Sequence, residues 1–126
     1  QLPKLARFNS HRKEIAELYS RELKNTTYQI LDTKYKEGNI FLRFPVRSKK
    51  AHETINSAWK QNLLIGDWYT TPIAPHDTKP EAMGYREGMC KNAEMLSRET
   101  LNLPTHINIS FKHAKTIVDF LKRYGS

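Results

Sequence analysis

Leu63-Leu64-Ile65-Gly66-Asp67-Trp68-Tyr69-Thr70-Thr71-Pro72-Ile73-Ala74-Pro75 is the stretch around which the rest of the chain is organised. A short apolar run enters Gly66, passes through two adjacent large aromatics and stops at two prolines. Leu63 to Ile65 reads as the start of a buried strand, and Gly66 permits a bulge or a close backbone approach. Pro72 and Pro75 forbid any continuation of a ladder. Trp68 and Tyr69 therefore stand at a strand's exit, where rings with polar tips either stack on a planar or sugar ligand or close the core under a loop. From the residues alone, the lid over the core is the favoured reading.

The chain has 126 residues, 38% hydrophobic and 27% charged, which makes one domain with a single core. Its apolar runs fall far short of the roughly 20 residues needed to span a bilayer, so no membrane segment is expected. The sequence starts at Gln1 without an initiator Met or a signal-peptide pattern, and reads as a fragment of something longer. A lone cysteine, Cys90, excludes an internal disulfide and suits a reducing, cytoplasmic compartment. The net charge of +8 would attract nucleic acid, anionic lipid or the diphosphate of a nucleotide-linked substrate.

Outward from the opening stretch, Leu2, Leu5, Phe8, Ile15, Leu18, Tyr19 and Leu23 fall near helical spacing, and Pro3 is tolerated in a first turn. Residues 3 to 24 are therefore expected to form one long amphipathic helix. The polar run Asn9 to Glu14 interrupts its stripe, either facing an interface or charge partner or marking a solvated kink. Thr26 to Asp32, a turn at Lys36-Glu37-Gly38-Asn39 and the alternating Ile40 to Val46 read as a β-hairpin. Ile40, Leu42, Phe44 and Val46 should face inward, Pro45 should lie at a sheet edge or strand end, and Arg43 and Arg47 should share the outer face. Two such arginines can fork around an oxyanion, although the common role of such a face is solvation.

Ser48 is read as the N-cap of a helix with Ala51, Ile55, Ala58 and Trp59 on its stripe. Arg47, Lys49 and Lys50 cluster at its start, where the helix dipole favours anions. His76 to Gly88 reads as a surface loop, Met89 to Thr100 as a short helix carrying Ala93 and Leu96, and Leu101 to Leu103 as a strand stopped by Pro104. Ser110 caps a last helix with Phe111, Ala114, Ile117, Val118, Leu121 and Tyr124 on one face and Gly125 past its end. The expected fold is α+β: a small, mostly antiparallel sheet with helices packed on one face, preceded by a long N-terminal helix.

The five histidines lack metal-ligand spacing, so no metal site is expected. There is no phosphate-binding glycine loop and no nucleophile elbow. Glu14, Glu17, Glu53 and Glu94 are expected on solvated helix faces.

Four signatures in register carry a resemblance over essentially the whole chain. They are Gln1-Leu2-x-x-Leu5-x-x-Phe8-Asn9-x-x-Arg12, Ile65-Gly66-x-Trp68-Tyr69-x-x-Pro72, Gly84-Tyr85-x-x-Gly88-x-Cys90-x-Asn92-Ala93-Glu94, and Leu101-Asn102-Leu103-Pro104-Thr105-His106 before the capped helix. Together they resemble the C-terminal region of DegT/StrS-type aminotransferases, fold-type I enzymes that use pyridoxal phosphate. The resemblance implies that residues 1–24 are an interdomain helix and residues 25–126 a small C-terminal domain. It implies a homodimer, a large N-terminal domain absent from this chain that binds the cofactor, and a nucleotide-linked keto-sugar aminated from glutamate or glutamine.

No lysine here matches the family's cofactor-lysine motif, so no catalytic or cofactor-binding residue is carried over and the isolated fragment is expected to be inactive. Trp68, Tyr69 and Arg43 are the candidate substrate contacts. Ala74 stands where many sugar-modifying members carry His, Leu42 and Phe44 where they carry His or Tyr, and Lys91 where Pro is common. The competing readings are a nucleic-acid-binding module using the basic charge with Trp59, Trp68 and Tyr69, and a structural or dimer-forming domain. Against the first, the aromatics are not interleaved with basic residues.

Overall fold

The structure, a computed structural model, describes residues 2–30 and 38–125. Helix α1 spans Leu2–Leu23, strand β1 Gln29–Ile30, β2 Arg43–Arg47, α2 Ala51–Lys60, α3 Lys91–Glu99, β3 Thr100–Pro104 and α4 Phe111–Tyr124, with a 3-10 turn at Pro80–Met83. The sheet is antiparallel, in the order β1-β2-β3. Phe44 and Val46 of β2 lie opposite Leu103 and Leu101 of β3, and all four point into the core. This is the expected α+β arrangement with a long N-terminal helix.

α1 divides into two halves. Ile15, Ala16, Leu18, Tyr19 and Leu23 are buried against the sheet and α4, whereas Leu2 and Leu5 are exposed. Between the halves the polar run stays helical and makes no ion pair among the described residues. His11 Nε2 donates to the Ile109 carbonyl at 3.0 Å, and Arg12 Nη1 donates to Asn9 Oδ1 at 3.1 Å. At the other end Glu22 accepts from Lys122 at 2.7 Å and Lys115 at 3.2 Å, stapling α1 to α4. These two ammonium groups, Lys122 first, hold the Glu22 carboxyl down at about 2.

Tyr19 illustrates how the core accommodates a polar tip. Its ring lies 5.5 Å from that of Phe44, and its hydroxyl donates to the Pro104 carbonyl at 3.0 Å. Burial pushes its phenol well above the ordinary tyrosine range. α4 forms as its local sequence dictates: the Ser110 side chain accepts from His113 N, Ala114, Ile117, Val118 and Leu121 are buried, and Gly125 N closes on Leu121 O. Phe120 is buried as well, while Phe111 is half exposed.

Several expectations change. Residues 63–65 are not a strand: Asn62 takes a left-handed φ of 56°, Leu63 N bonds back to Ala58 O, and only Gly66 pairs with the sheet, through an isolated bridge to Asn102. The apolar run closes the end of α2 instead of adding a fourth strand. On β2 the predicted alternation holds for Phe44 and Val46 but fails before them. Phe41, at a φ of 48°, turns its ring into the core, and Leu42 is left 67% exposed. Pro45 sits midway along the central strand, opposite Asn102 of β3, and the described pairing with β1 involves only Val46 and Arg47. The missing N–H therefore interrupts no described pairing with β1.

The hairpin's first strand begins at Gln29, not Thr26, and the expected residues Leu31, Asp32, Lys36 and Glu37 lie outside the described residues. Ser48 does not cap α2 directly. Its hydroxyl accepts from Lys50 N at 3.2 Å and its carbonyl from Ala51 N at 3.1 Å, making the turn from which the helix starts at Ala51. Trp59 is 47% exposed, with its indole donating to Ile65 O at 2.8 Å. In α3 the inward residues are Glu94 and Ser97, while Ala93 and Leu96 face out. The segment 76–88 is a surface loop as expected, and no described helix is long and apolar enough to cross a membrane.

Candidate functional site

The sheet has one apolar face and one polar face, and the candidate site lies on the polar one. β2 alternation puts Arg43, Pro45 and Arg47 on the face opposite Phe44 and Val46, and cross-strand pairing puts Asn102 of β3 on the same face as Pro45. The Gly66 segment runs beside the outer edge of β3, opposite Asn102. Gly66 N donates to Asn102 O at 2.7 Å and Asn102 N to Gly66 O at 2.9 Å. A Cβ on Gly66 would stand 2.9 Å from Arg43 Nη1 and 3.4 Å from Asn102 Cβ, so the close approach expected at this glycine is real.

From Gly66 the chain carries Trp68 and Tyr69 outward. They are 55% and 58% exposed, so they do not lid the core. Their rings stack on each other, with centroids 5.7 Å apart and planes within 11°. The Arg43 guanidinium lies over the Trp68 ring, its Cζ 4.4 Å from the centroid, which is a cation–π contact. The structure thus brings all three candidate residues into one array: Arg43, Trp68 and Tyr69. Arg43 makes no hydrogen bond or ion pair among the described residues, so its donor edge is available to an acceptor.

Two open grooves flank the array. One, of about 390 Å³, runs from Tyr69 and Pro72 to Ala93 and Leu96 on α3; the other, of about 430 Å³, is lined by Trp68, Thr70, Pro75 and His76. The outward-facing Ala93 and Leu96 thus form a groove wall.

The fork of two arginines is not formed. Arg47 Nε donates to Glu99 Oε2 at 2.6 Å and its Nη2 lies 3.3 Å from Met95 Sδ, so Arg47 ties β2 to α3. Arg47, Lys49 and Lys50 do line a common cleft of about 370 Å³ at the start of α2, but Glu99 is also in its wall. Glu94 also departs from expectation: its carboxylate is buried and accepts from Tyr85 Oη at 2.5 Å and Gly88 N at 2.7 Å. These bonds lower its pKa, the Tyr85 hydroxyl contributing most, and the Tyr85 phenol is pushed up to about 12 by the same bond.

Sequence reasoning missed Asn102 and the role of Glu94. Asn102 lies between Leu101 and Leu103, and that period-two alternation was the available signal that its side chain belongs to the sheet's polar face.

Pyridoxal phosphate needs a lysine in a dry pocket for its imine. Among the described residues every lysine is exposed except Lys122, which is half-buried and bonded to Glu22. The described residues do not by themselves make a site for that cofactor.

Comparison with known proteins bears on the family and the fold. A family model described as the DegT/DnrJ/EryC1/StrS aminotransferase family matches residues 1–122. No curated protein matches the chain. Among solved structures, DesV of S. venezuelae, crystallised with a ketimine intermediate, superposes with a TM-score of 0.84 at 20% identity over 99% of this chain and 34% of its own. The aminotransferase TlmJ of Streptoalloteichus hindustanus gives 0.80 at 22% identity over 98% of this chain and 33% of its own. A DegT DnrJ EryC1 StrS aminotransferase from Brucella abortus gives 0.77 at 18% identity over 99% and 33%. At these identities the structures establish a shared fold, and the chain spans about a third of their length. With the family model matching residues 1–122 of its 126, this chain belongs to the DegT/DnrJ/EryC1/StrS aminotransferase family.

Proposed function

We propose that the chain is the small C-terminal domain of a pyridoxal-phosphate-dependent aminotransferase. The parent transfers an amine from glutamate or glutamine to a nucleotide-linked keto-sugar, and works as a homodimer. α1 is the interdomain helix, and a large N-terminal domain outside this chain carries the cofactor and its lysine. The chain's own contribution is to orient the amino acceptor: Trp68 and Tyr69 border the substrate side of the domain, and Arg43 takes a phosphate or carboxylate oxygen. The observation that carries this reading is the family match over residues 1–122, joined to a guanidinium held on an aromatic face with its donor edge unspent.

The test is amine transfer by the full-length parent, assayed against a panel of nucleotide-linked keto-sugars with glutamate and glutamine as donors. Arg43→Ala and Trp68→Ala should raise KM for the acceptor and leave the donor's KM unchanged. Transfer that is indifferent to both variants would remove the array from the substrate side. Amine transfer by residues 1–126 alone would show that the large domain is not needed.

A further inference from the structure

We propose that Asn102 is a positioning residue for the acceptor site, holding the Trp68-Tyr69 peptide in place and, through the Trp68 ring, aiming the Arg43 guanidinium; this rests on the reading of the array given above. Asn102 is a polar side chain, 7% exposed, on a strand whose neighbours Leu101 and Leu103 face the core. A buried amide persists at such a position when it is hydrogen-bonded, and the Nδ2 of Asn102 is. Asn102 Nδ2 donates to the Trp68 carbonyl, while its backbone exchanges both bonds with Gly66. One residue therefore grips the exit segment on both sides of Asp67.

The grip matters because, among the described residues, the exit segment has no other pairing with the sheet. Gly66 makes an isolated bridge, and beyond it Trp68 and Tyr69 are exposed. A segment held by a single bridge would leave its rings free to rotate as a unit. The amide bond to the Trp68 carbonyl fixes the peptide plane from which both rings project, and so fixes the face that Trp68 offers to Arg43 at 4.4 Å.

Arg43 is confined from the other side too. The position of a Cβ on Gly66 would be 2.9 Å from Arg43 Nη1, so the guanidinium passes over bare backbone to reach the ring. Glycine at 66 and asparagine at 102 are two halves of one arrangement. The chemical class served is an oxyanion recognised by a guanidinium of fixed direction, as in a nucleoside diphosphate.

The experiment compares Asn102→Ala and Gly66→Ala with Arg43→Ala and the double variant Asn102→Ala/Arg43→Ala in the cofactor-loaded full-length protein. Two readouts are taken: the crystal structure around Trp68, and calorimetric titration with uridine diphosphate. In Asn102→Ala and in Gly66→Ala the guanidinium should leave the ring, and the Kd for uridine diphosphate should rise about threefold to fivefold. In the double variant Asn102→Ala should add nothing to Arg43→Ala, because it acts through the same group.

Asn102→Ala with lower stability but an unchanged Arg43–Trp68 stack and unchanged Kd would reduce Asn102 to a structural role and overturn the proposal. Gly66→Ala keeps every backbone bond, so it still decides whether the guanidinium needs this channel if Asn102→Ala fails to fold; retention of the stack and of the wild-type Kd in Gly66→Ala overturns the shared arrangement. A stack lost in both variants while Arg43→Ala leaves Kd unaltered would uphold the positioning and refute the substrate reading instead.

Discussion

Tyr85 Oη donates to Glu94 Oε1 at 2.5 Å, and this bond, with that from Gly88 N to the same oxygen, fastens the loop before α3 to the helix. A glutamate whose folded pKa is lowered contributes stability that is complete above its unfolded value, 4.5, and is lost as pH falls through the folded one. Tyr85 works in the opposite sense: its contribution is complete below 10.0 and is lost as pH rises towards about 12. Tyr85→Phe should therefore speed tryptic cleavage after Arg86 at neutral pH, where both contributions are complete. Equal cleavage rates at neutral pH would show that the bond does not hold the loop.

The Glu22 staple between α1 and α4 should behave as an acid-sensitive joint. Its pKa of about 2 against an ordinary 4.5 means that its contribution is present above 4.5 and disappears as pH falls through about 2. Glu22→Gln should flatten the acid limb of stability in urea melts between those limits. An unchanged acid limb would assign that slope to other carboxylates.

Tyr19→Phe removes the buried hydroxyl that donates to Pro104 O and strands that carbonyl. The loss should be about 1 to 2 kcal/mol in urea unfolding, with no change in substrate affinity of the intact protein. A neutral substitution would mean that water replaces the hydroxyl.

Tyr69→Phe should give the reverse pattern. The Tyr69 ring is 58% exposed and its hydroxyl has no partner among the described residues, so stability should move by less than about 0.5 kcal/mol. If the hydroxyl meets substrate, acceptor KM or kcat changes in the full-length enzyme. A destabilised variant with normal kinetics would return Tyr69 to a structural role.

Residues 1–126 treated with pyridoxal phosphate and borohydride should show scattered, non-saturable labelling. The described lysines are solvent-exposed or bonded to Glu22, and none of them stands in the dry pocket that a specific imine requires. Peptide mapping that finds one stoichiometric lysine would locate a cofactor site within this chain.

Much of the fold was legible because its signals are local. α4 carries its cap at Ser110, its buried stripe and its terminal Gly125 within one stretch, and all three are in place. The core positions Phe44 and Val46 of β2 followed from alternation, and β3 was legible as a short apolar strand before Pro104. The failures lie where a residue's state depends on distant partners. Leu63 to Ile65 looked like a strand but was taken by the end of α2. Phe41 broke the alternation through its backbone, and Glu94 turned inward because Tyr85 and Gly88 came to meet it.

The same division runs through the candidate site. Sequence by itself determined that a Gly66-Asp67-Trp68-Tyr69 exit stopped by prolines exists, that Gly66 admits a close approach, and that Arg43 stands on the face opposite the core. Only the tertiary structure decided that Trp68 and Tyr69 stay outside the core, that Arg47 is taken by Glu99 while Arg43 covers Trp68, and that Asn102 grips the segment between them. The reason is physical: periodicity fixes which face of an element a side chain joins, but the identity of its partner is set by the packing of segments far apart in the chain. A guanidinium meets an aromatic face only once β2, β3 and the Gly66 segment have been brought side by side.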